Sequence, residues 1–360
     1  MRLGQARPWA LGVSMALAGC ATLATPGASP EGLPHNGTGP FRDLESEETG
    51  LAIGGVAIFL SAASAESGMV AQDGALWYAA APLEDPSRPP IPSRFPEPNW
   101  AAHGPRRIFR AEPKVVPGLA HVSRGPAFEG EREVLRALHP WEGGHVSDPW
   151  VLIEPGRVLL YYAAQGGIGL AQAPSPEGPF SSQSEPLLAG EGLRRPSVVD
   201  VRELPQTPAR YLMYYENNGR IALAASQDGL RFEPIADLSL APMPPRDERD
   251  GEEVEQGAPG AVLFRSPGGR AFIRLYYESR RSNGQVLITL AASADGLNFQ
   301  NFGRPVVLQA NRRAPAPFIV DERISLLYMW RPFSIARSQG TIGVGIAPST
   351  VRLAPKRMEE

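Results

Sequence analysis

The sequence predicts an all-β fold, a five-bladed β-propeller built from four-stranded antiparallel blades. Three observations lead there. Gly and Pro supply 38 residues each of the 360 and are spread between short apolar runs, not gathered in one tract. Such punctuation marks many short strands and turns. No stretch carries a long amphipathic helical pattern. Finally, a three-part motif returns with a period of roughly 50 residues, the mark of stacked repeat units.

The central part of the motif is an alternating apolar strand that ends in paired aromatics. It reads GALWYAAA (74–81), RVLLYYAAQ (157–165), RYLMYYENN (210–218), FIRLYYESR (272–280) and ISLLYMWRP (324–332). After a short turn comes GLAHVS (118–123), GLAQAPS (169–175), IALAASQDGLRF (221–232), ITLAASADGLNF (288–299) or IGVGIAPS (342–349). Four of the five units are preceded by a third part: SDPWVLI (147–153), RRPSVVD (194–200), GAPGAVL (257–263) and RAPAPFIV (313–320). The pairs begin at Trp77, Tyr161, Tyr214, Tyr276 and Tyr328, and the last four stand 53, 62 and 52 residues apart. The longer first interval is assigned to a Pro-rich insertion around 82–106. A short fourth strand, such as SEPLLA (184–189) or RPVVLQ (304–309), completes a unit. One unit cannot bury both of its faces, so neighbours must stack, with the aromatic residues between them. The segment GGVAIFL (54–60) has no place in the first unit. A closed ring leaves no strand edge exposed, so this segment is expected to pair with the last blade near 341–347.

In its DP or AP opening strand, its YY strand and its LAAS-x-DG-L-x-F strand, the chain resembles the five-bladed propellers of glycoside hydrolase families 43, 32 and 130. That is the arabinanase, levansucrase and invertase superfamily. The resemblance covers roughly residues 65 to 350 and is more specific for fold than for activity.

The N-terminus carries a separate signal. Arg2 and Arg7 flank a short region without acids, and residues 8–19 are apolar or small apart from Ser14. That is a charged start followed by a secretory apolar run, too short for the ~20 residues a bilayer span needs. The run ends in Leu17-Ala18-Gly19-Cys20, and Cys20 is the only cysteine of the chain. These four residues resemble a bacterial lipobox, in which the cysteine is lipidated and becomes the new N-terminus. The resemblance implies a signal peptide over 1–19 and lipidation of Cys20. It also implies a cell-envelope location, with Ala21 after the cysteine pointing to the outer membrane. Residues 20–50 are small, polar and Pro/Gly-rich, and read as a disordered tether. The propeller is expected over 51–350, with a tail over 351–360.

Loss of Arg2 and Arg7 takes the formal charge from −3 to −5. A weakly acidic chain without a basic block is not built for nucleic acid. His35, His103, His121, His139 and His145 are scattered, with no metal-ligand spacing. No metal or cofactor is expected, the lipid anchor is the expected contact with the membrane, and a monomer is expected.

Antiparallel order decides which residues share a rim. The starts of the innermost strands and the ends of the second strands lie at one end of the propeller. Asp148, Arg195, Gln256 and Arg313 are expected there from the first set. Glu216, Glu278, Trp330 and Arg331 are expected from the second, and His145 nearby. Carboxylates and guanidinium groups bind hydroxyls, and an indole covers a sugar ring, so this mouth suits a glycan or oligosaccharide. Asp148, Glu216 and Glu278 are the candidate catalytic residues; His145, Arg195, Gln256, Arg313, Trp330 and Arg331 are candidates for substrate binding. The resemblance implies an Asp at the first strand start, matched by Asp148. It also implies a second Asp, where this chain has Arg195, and a Glu directly before a Pro, where it has Ala258. The carboxylate set is therefore degenerate. Two functions remain: a propeller that binds and processes a glycan at the channel mouth, or a non-catalytic one that binds carbohydrate or protein. The lost carboxylates favour the second. The SQDGLRF (226–232) and SADGLNF (293–299) segments resemble sialidase Asp-boxes. They are expected to be tight structural turns at the opposite end, with Asp228 and Asp295 accepting backbone N–H bonds.

Overall fold

The computed structural model describes residues 38–43, 52–53, 56–63, 67–80, 105–113, 128–330 and 339–346, apart from 40, 205–206, 208, 239, 246–248, 267–268, 308–311 and 321–322. The signal segment, Cys20, Arg331 and the tail lie outside these residues.

The fold consists of antiparallel four-stranded blades in a propeller arrangement. The chain starts with β1 (Arg42–Asp43), β2 (Ala52–Ile53) and β3 (Val56–Ala63). The first sheet follows, with β4 (Ser67–Val70), β5 (Leu76–Ala80), β6 (Arg107–Pro113) and β7 (Phe128–Leu135). The second has β8 (Ser147–Glu154), β9 (Arg157–Ala164) and β10 (Gly167–Ala173). Its outer position is shared by β11 (Ser181–Ser182) and β12 (Leu188–Ala189). The third has β13 (Leu193–Asp200), β14 (Tyr211–Asn217), β15 (Arg220–Ser226) and β16 (Glu233–Asp237). The fourth has β17 (Glu253–Arg265), β18 (Ala271–Arg281), β19 (Val286–Ser293) and β20 (Gln300–Pro305). The last has β21 (Arg313–Val320), β22 (Arg323–Trp330) and β23 (Gln339–Ile346).

Its fourth strand is β3, which pairs antiparallel with β23 from Gln339↔Ala63 to Gly343↔Ile58. The expected pairing of the N-terminal segment with the final repeat is thus present. The inner strands β4, β8, β13, β17 and β21 each touch the next, and β21 touches β4.

Two expectations about strands are corrected. The third strand of the first sheet is β6, which pairs with β5 from Leu76↔Ala111 to Ala80↔Arg107. The stretch 118–123 lies outside the described residues. The outer strand of the fourth sheet is β20, ending at Pro305, not 304–309. Val306 still donates its N–H to the Ile288 carbonyl of β19 at 2.8 Å, while its own carbonyl accepts the Phe41 N–H at 2.6 Å and Phe41 bridges to Val307. Phe41 is buried and meets Tyr276 edge to face at 5.8 Å. It falls inside the stretch read above as a tether.

The aromatic residues that define the repeat are buried: Trp77, Tyr161, Tyr214 and Tyr276 are 0% exposed and Tyr328 1%. A buried phenol needs a partner. Tyr161 Oη donates to the Gly229 carbonyl and Tyr214 Oη to the Gly296 carbonyl, each at 2.8 Å, and each bond crosses to the next sheet. The acceptors belong to the Asp-box turns. Asp228 Oδ1 accepts the N–H of Leu230 and Arg231, and Asp295 Oδ1 that of Leu297 and Asn298. Gly229 and Gly296 sit at φ 76° and 75°, which a side chain would disfavour. Burial would raise both carboxyls, but their N–H bonds outweigh it and hold them below the usual value. The Asp-boxes are therefore latches between sheets.

Candidate functional site

Four inner strands carry the same irregularity. Each reads X-Pro where its register slips against the second strand: between Ser147 and Trp150, Arg194 and Ser197, Gly257 and Gly260, and Arg313 and Ala316. Two residues then oppose one, a β-bulge, which is where Pro is tolerated within a sheet. At these bulges Asp148, Arg195, Ala258 and Ala314 take φ of 50°, 54°, 47° and 52°. Left-handed backbone costs a residue with a side chain about 1–2 kcal/mol. It persists where the surroundings enforce it. The bulge aims each of these residues at the axis, where they line one small cavity together with Ser67 and Gly68 of β4.

Arg313 was expected in this ring and is not part of it. Ala314 holds the equivalent position, and Arg313, one residue earlier, is exposed. One residue along a strand changes the face. Gln256 also misses the axis: it lies two residues before Ala258, and its amide donates to Glu253 Oε1 at 2.5 Å and the Leu240 carbonyl at 3.3 Å. His145 is exposed in the loop before β8, and its Nδ1 accepts the Arg106 N–H at 3.2 Å. Trp330 ends β22, paired with Thr341, as its place in the repeat requires.

Glu216 and Glu278 do lie close behind the axis, but in the interior, 1% and 0% exposed. Glu216 Oε2 accepts the Ala258 N–H at 2.8 Å, and Glu278 Oε1 accepts the Ala314 N–H at 2.8 Å. Each glutamate, at the end of a second strand, holds the strained residue of the next sheet in place. The remaining lone pairs face arginines. Arg280 forks onto both oxygens of Glu216, Nη1 to Oε1 and Nη2 to Oε2 at 3.0 Å, and its Nε donates to Glu278 Oε2 at 3.1 Å. Arg195 Nη1 donates to Glu278 Oε1 at 3.3 Å, and its Nε stands 4.0 Å from Asp148 Oδ1. Arg194 adds a contact of 3.4 Å to Glu216.

Burial opposes charge in this network, and the charges win. Burial would raise the Glu216 carboxyl, but Arg195, Arg280 and the Ala258 N–H hold it below its usual value. Burial would lower the guanidinium of Arg195, but Glu278, Asp148 and Glu216 raise it. Arg280 is raised by Glu278 and Glu216 against the same penalty. Among the described residues, Asp148 is the one carboxylate that lines the axial cavity, 4.0 Å from Arg195 and 3.4 Å from Ser147 Oγ.

The axial cavity measures about 30 Å³. That is room for about one water, not for a sugar ring. Arg280, the hub of the network, was not singled out by sequence. It follows the YYES run by one position, which is a weak signal in a chain with many arginines.

No protein-family model matches the chain, and no curated protein matches it either. Solved structures do. An endo-arabinase from Bacteroides thetaiotaomicron is 14% identical, with a TM-score of 0.51 over 80% of this chain and 95% of that one. A fructofuranosidase from Schwanniomyces occidentalis, complexed with fructosylnystose, is 11% identical, with a TM-score of 0.54 over 84% of this chain and 60% of that one. A β-xylosidase is 16% identical, with a TM-score of 0.50 over 78% of this chain and 90% of that one. The chain shares the β-propeller fold of these glycoside hydrolases, and at such identities the likeness is one of fold alone.

Proposed function

We propose that the chain is a lipid-anchored, five-bladed, glycosidase-like propeller that binds a glycan without cleaving it. The observation that carries the non-catalytic reading is the saturation of Glu216 and Glu278. Glycoside hydrolysis needs one carboxyl that gives a proton and one that takes one or attacks, both at the scissile bond. Here each glutamate is buried, each accepts a backbone N–H, and each is held by Arg280. Neither has a free oxygen to offer a substrate. Asp148 alone supplies one carboxylate, and the bulge positions that would hold others carry Arg195, Ala258 and Ala314. The fold favours a glycan as the ligand, because its neighbours are an arabinase, a xylosidase and a fructofuranosidase.

The test is a paired assay on the full chain. Arabinan, xylan and fructan should release no reducing sugar above a no-protein control, while a glycan array reports binding. Turnover that disappears in Asp148→Asn would show an enzyme instead. The anchor has its own test: Cys20→Ser should move the protein from the membrane fraction to the soluble fraction, since acyl chains supply about 0.8 kcal/mol per buried CH₂. A Cys20→Ser protein that stays with membranes after a high-salt wash would place the anchor elsewhere.

A further inference from the structure

With the axial cavity too small for a sugar, we propose that the glycan site lies beside it, in a lateral pocket between the third and fourth sheets. The inference rests on the glycan-binding reading above and gives it a location and a sugar class. The pocket opens at the same end of the propeller as Asp148. Three pieces of chain form it: the β14–β15 turn, the end of β16 with the segment after it, and the start of β17. Its volume is about 350 Å³. That reaches the lower end of small-ligand sites, about 300–1,000 Å³.

The walls are tied by hydrogen bonds before any ligand arrives. Gln256 N–H donates to the Gly219 carbonyl at 2.9 Å and Leu238 N–H to that of Ile221 at 2.8 Å. Asn301 Nδ2 holds the Ala241 carbonyl and Arg281 Nη1 the Met243 carbonyl, both at 2.8 Å. A preformed site loses less ordering entropy on binding.

The lining leaves polar groups to spare. Arg220 and Asp237 are exposed, and the side chain of neither hydrogen-bonds nor ion-pairs with another described residue. Glu253 Oε1 accepts from Gln256, while its Oε2 is covered and has no hydrogen-bond partner. Glu255 gives one oxygen to Arg280 at 3.1 Å and is half-exposed. Val254, 61% exposed, and Pro242 add apolar surface. Carboxylates accept from sugar hydroxyls, a guanidinium donates to ring oxygens, and the apolar residues meet the C–H face of a ring. Arg280 offsets Glu255, and Asp237 and Glu253 against the single guanidinium of Arg220 leave an excess of negative charge that repels an anion. The pocket therefore selects neutral or amino sugars and rejects uronates.

The test titrates neutral, amino-sugar and uronate oligosaccharides into the full chain, as wild type, Val254→Arg, Asp237→Ala and Asp148→Asn. Val254 and Asp237 are exposed, so thermal unfolding checks that both variants fold as wild type. Neutral or amino sugars should bind and uronates should not. Val254→Arg should block the pocket and weaken binding at least tenfold, and Asp237→Ala about tenfold, the value of a charged hydrogen bond. Binding that survives Val254→Arg but is lost in Asp148→Asn puts the glycan at the axis and overturns the lateral site, leaving glycan binding intact. A preference for uronates overturns the sugar class. If wild type binds none of the three classes, the site falls together with the reading beneath it.

Discussion

Arg280→Ala should lower the stability of the folded protein by about 3–5 kcal/mol, the cost of removing one partner from a buried ion pair. Arg280 is placed to cause the larger end of that loss. It faces two glutamates that are each 1% exposed in their side chains, and among the described residues it is the one whose side chain hydrogen-bonds to both. Without it, Glu216 keeps Arg194 at 3.4 Å and Glu278 keeps Arg195 at 3.3 Å, both longer contacts. The two glutamates in turn hold the N–H groups of Ala258 and Ala314, whose backbones are left-handed. The fault would therefore spread to the inner strands of the fourth and last sheets. The midpoint of thermal unfolding should drop by on the order of 10 °C. Arg280→Lys should fall between, because an ammonium cannot fork onto one carboxylate while reaching a second. A wild-type melting curve for Arg280→Ala would sink this account.

The same network sets an acid limit. The folded Glu216 carboxyl lies below its ordinary value of 4.5. A depressed carboxyl contributes stability that is fully present above the unfolded value and is lost as the pH falls through the folded one. The gap in urea midpoint between wild type and Glu216→Gln should be constant at neutral pH and narrow once the pH drops below 4.5. A gap that widens on acidification would have the wrong sign.

Gly260→Val is expected to cost about 3 kcal/mol or more, the upper range for overpacking. Gly260 lies on β17 just after its bulge, where the fourth and last sheets converge toward the axis. A Cβ built there would stand 2.1 Å from the Pro315 carbonyl oxygen and 2.8 Å from Pro317 Cδ. The first of these is main chain, so no side-chain rotation relieves it. The two inner strands would have to separate, and the Glu278–Ala314 bond lies along that seam. Gly260→Ala should act in the same direction with a smaller loss. Soluble yield and the urea midpoint read both effects. A Gly260→Val protein as stable as wild type would mean that these sheets are not packed in this way.

Much of the fold was legible because each repeat carries its own instructions. Alternation and paired aromatics located β9, β14, β18 and β22, and the X-Pro dipeptides located the four bulged inner strands. The Asp-box turns could be read for the same reason: Ser, Asp and Gly at fixed spacing make their bonds within a few residues. All of these are local patterns, and local pattern is what a sequence displays directly.

The site depended on tertiary structure. Sequence placed Asp148, Arg195, Glu216 and Glu278 at one end of the propeller, but not whether each side chain meets solvent or protein. Exposure at a sheet junction depends on how closely neighbouring strands approach. Ala258, Gly260 and Ala314 let them approach so closely that the glutamates are sealed behind the axis. Arg313 looked equivalent to Arg195, yet a bulge turns on a single residue, and that step gave the axial place to Ala314. The lateral pocket had no motif to announce it, since its walls come from three separated pieces of chain. Sequence by itself determined the repeat and its turns, because those rest on neighbours along the chain. Only the packing of one sheet against the next decided which charges neutralise each other and which remain free for a ligand.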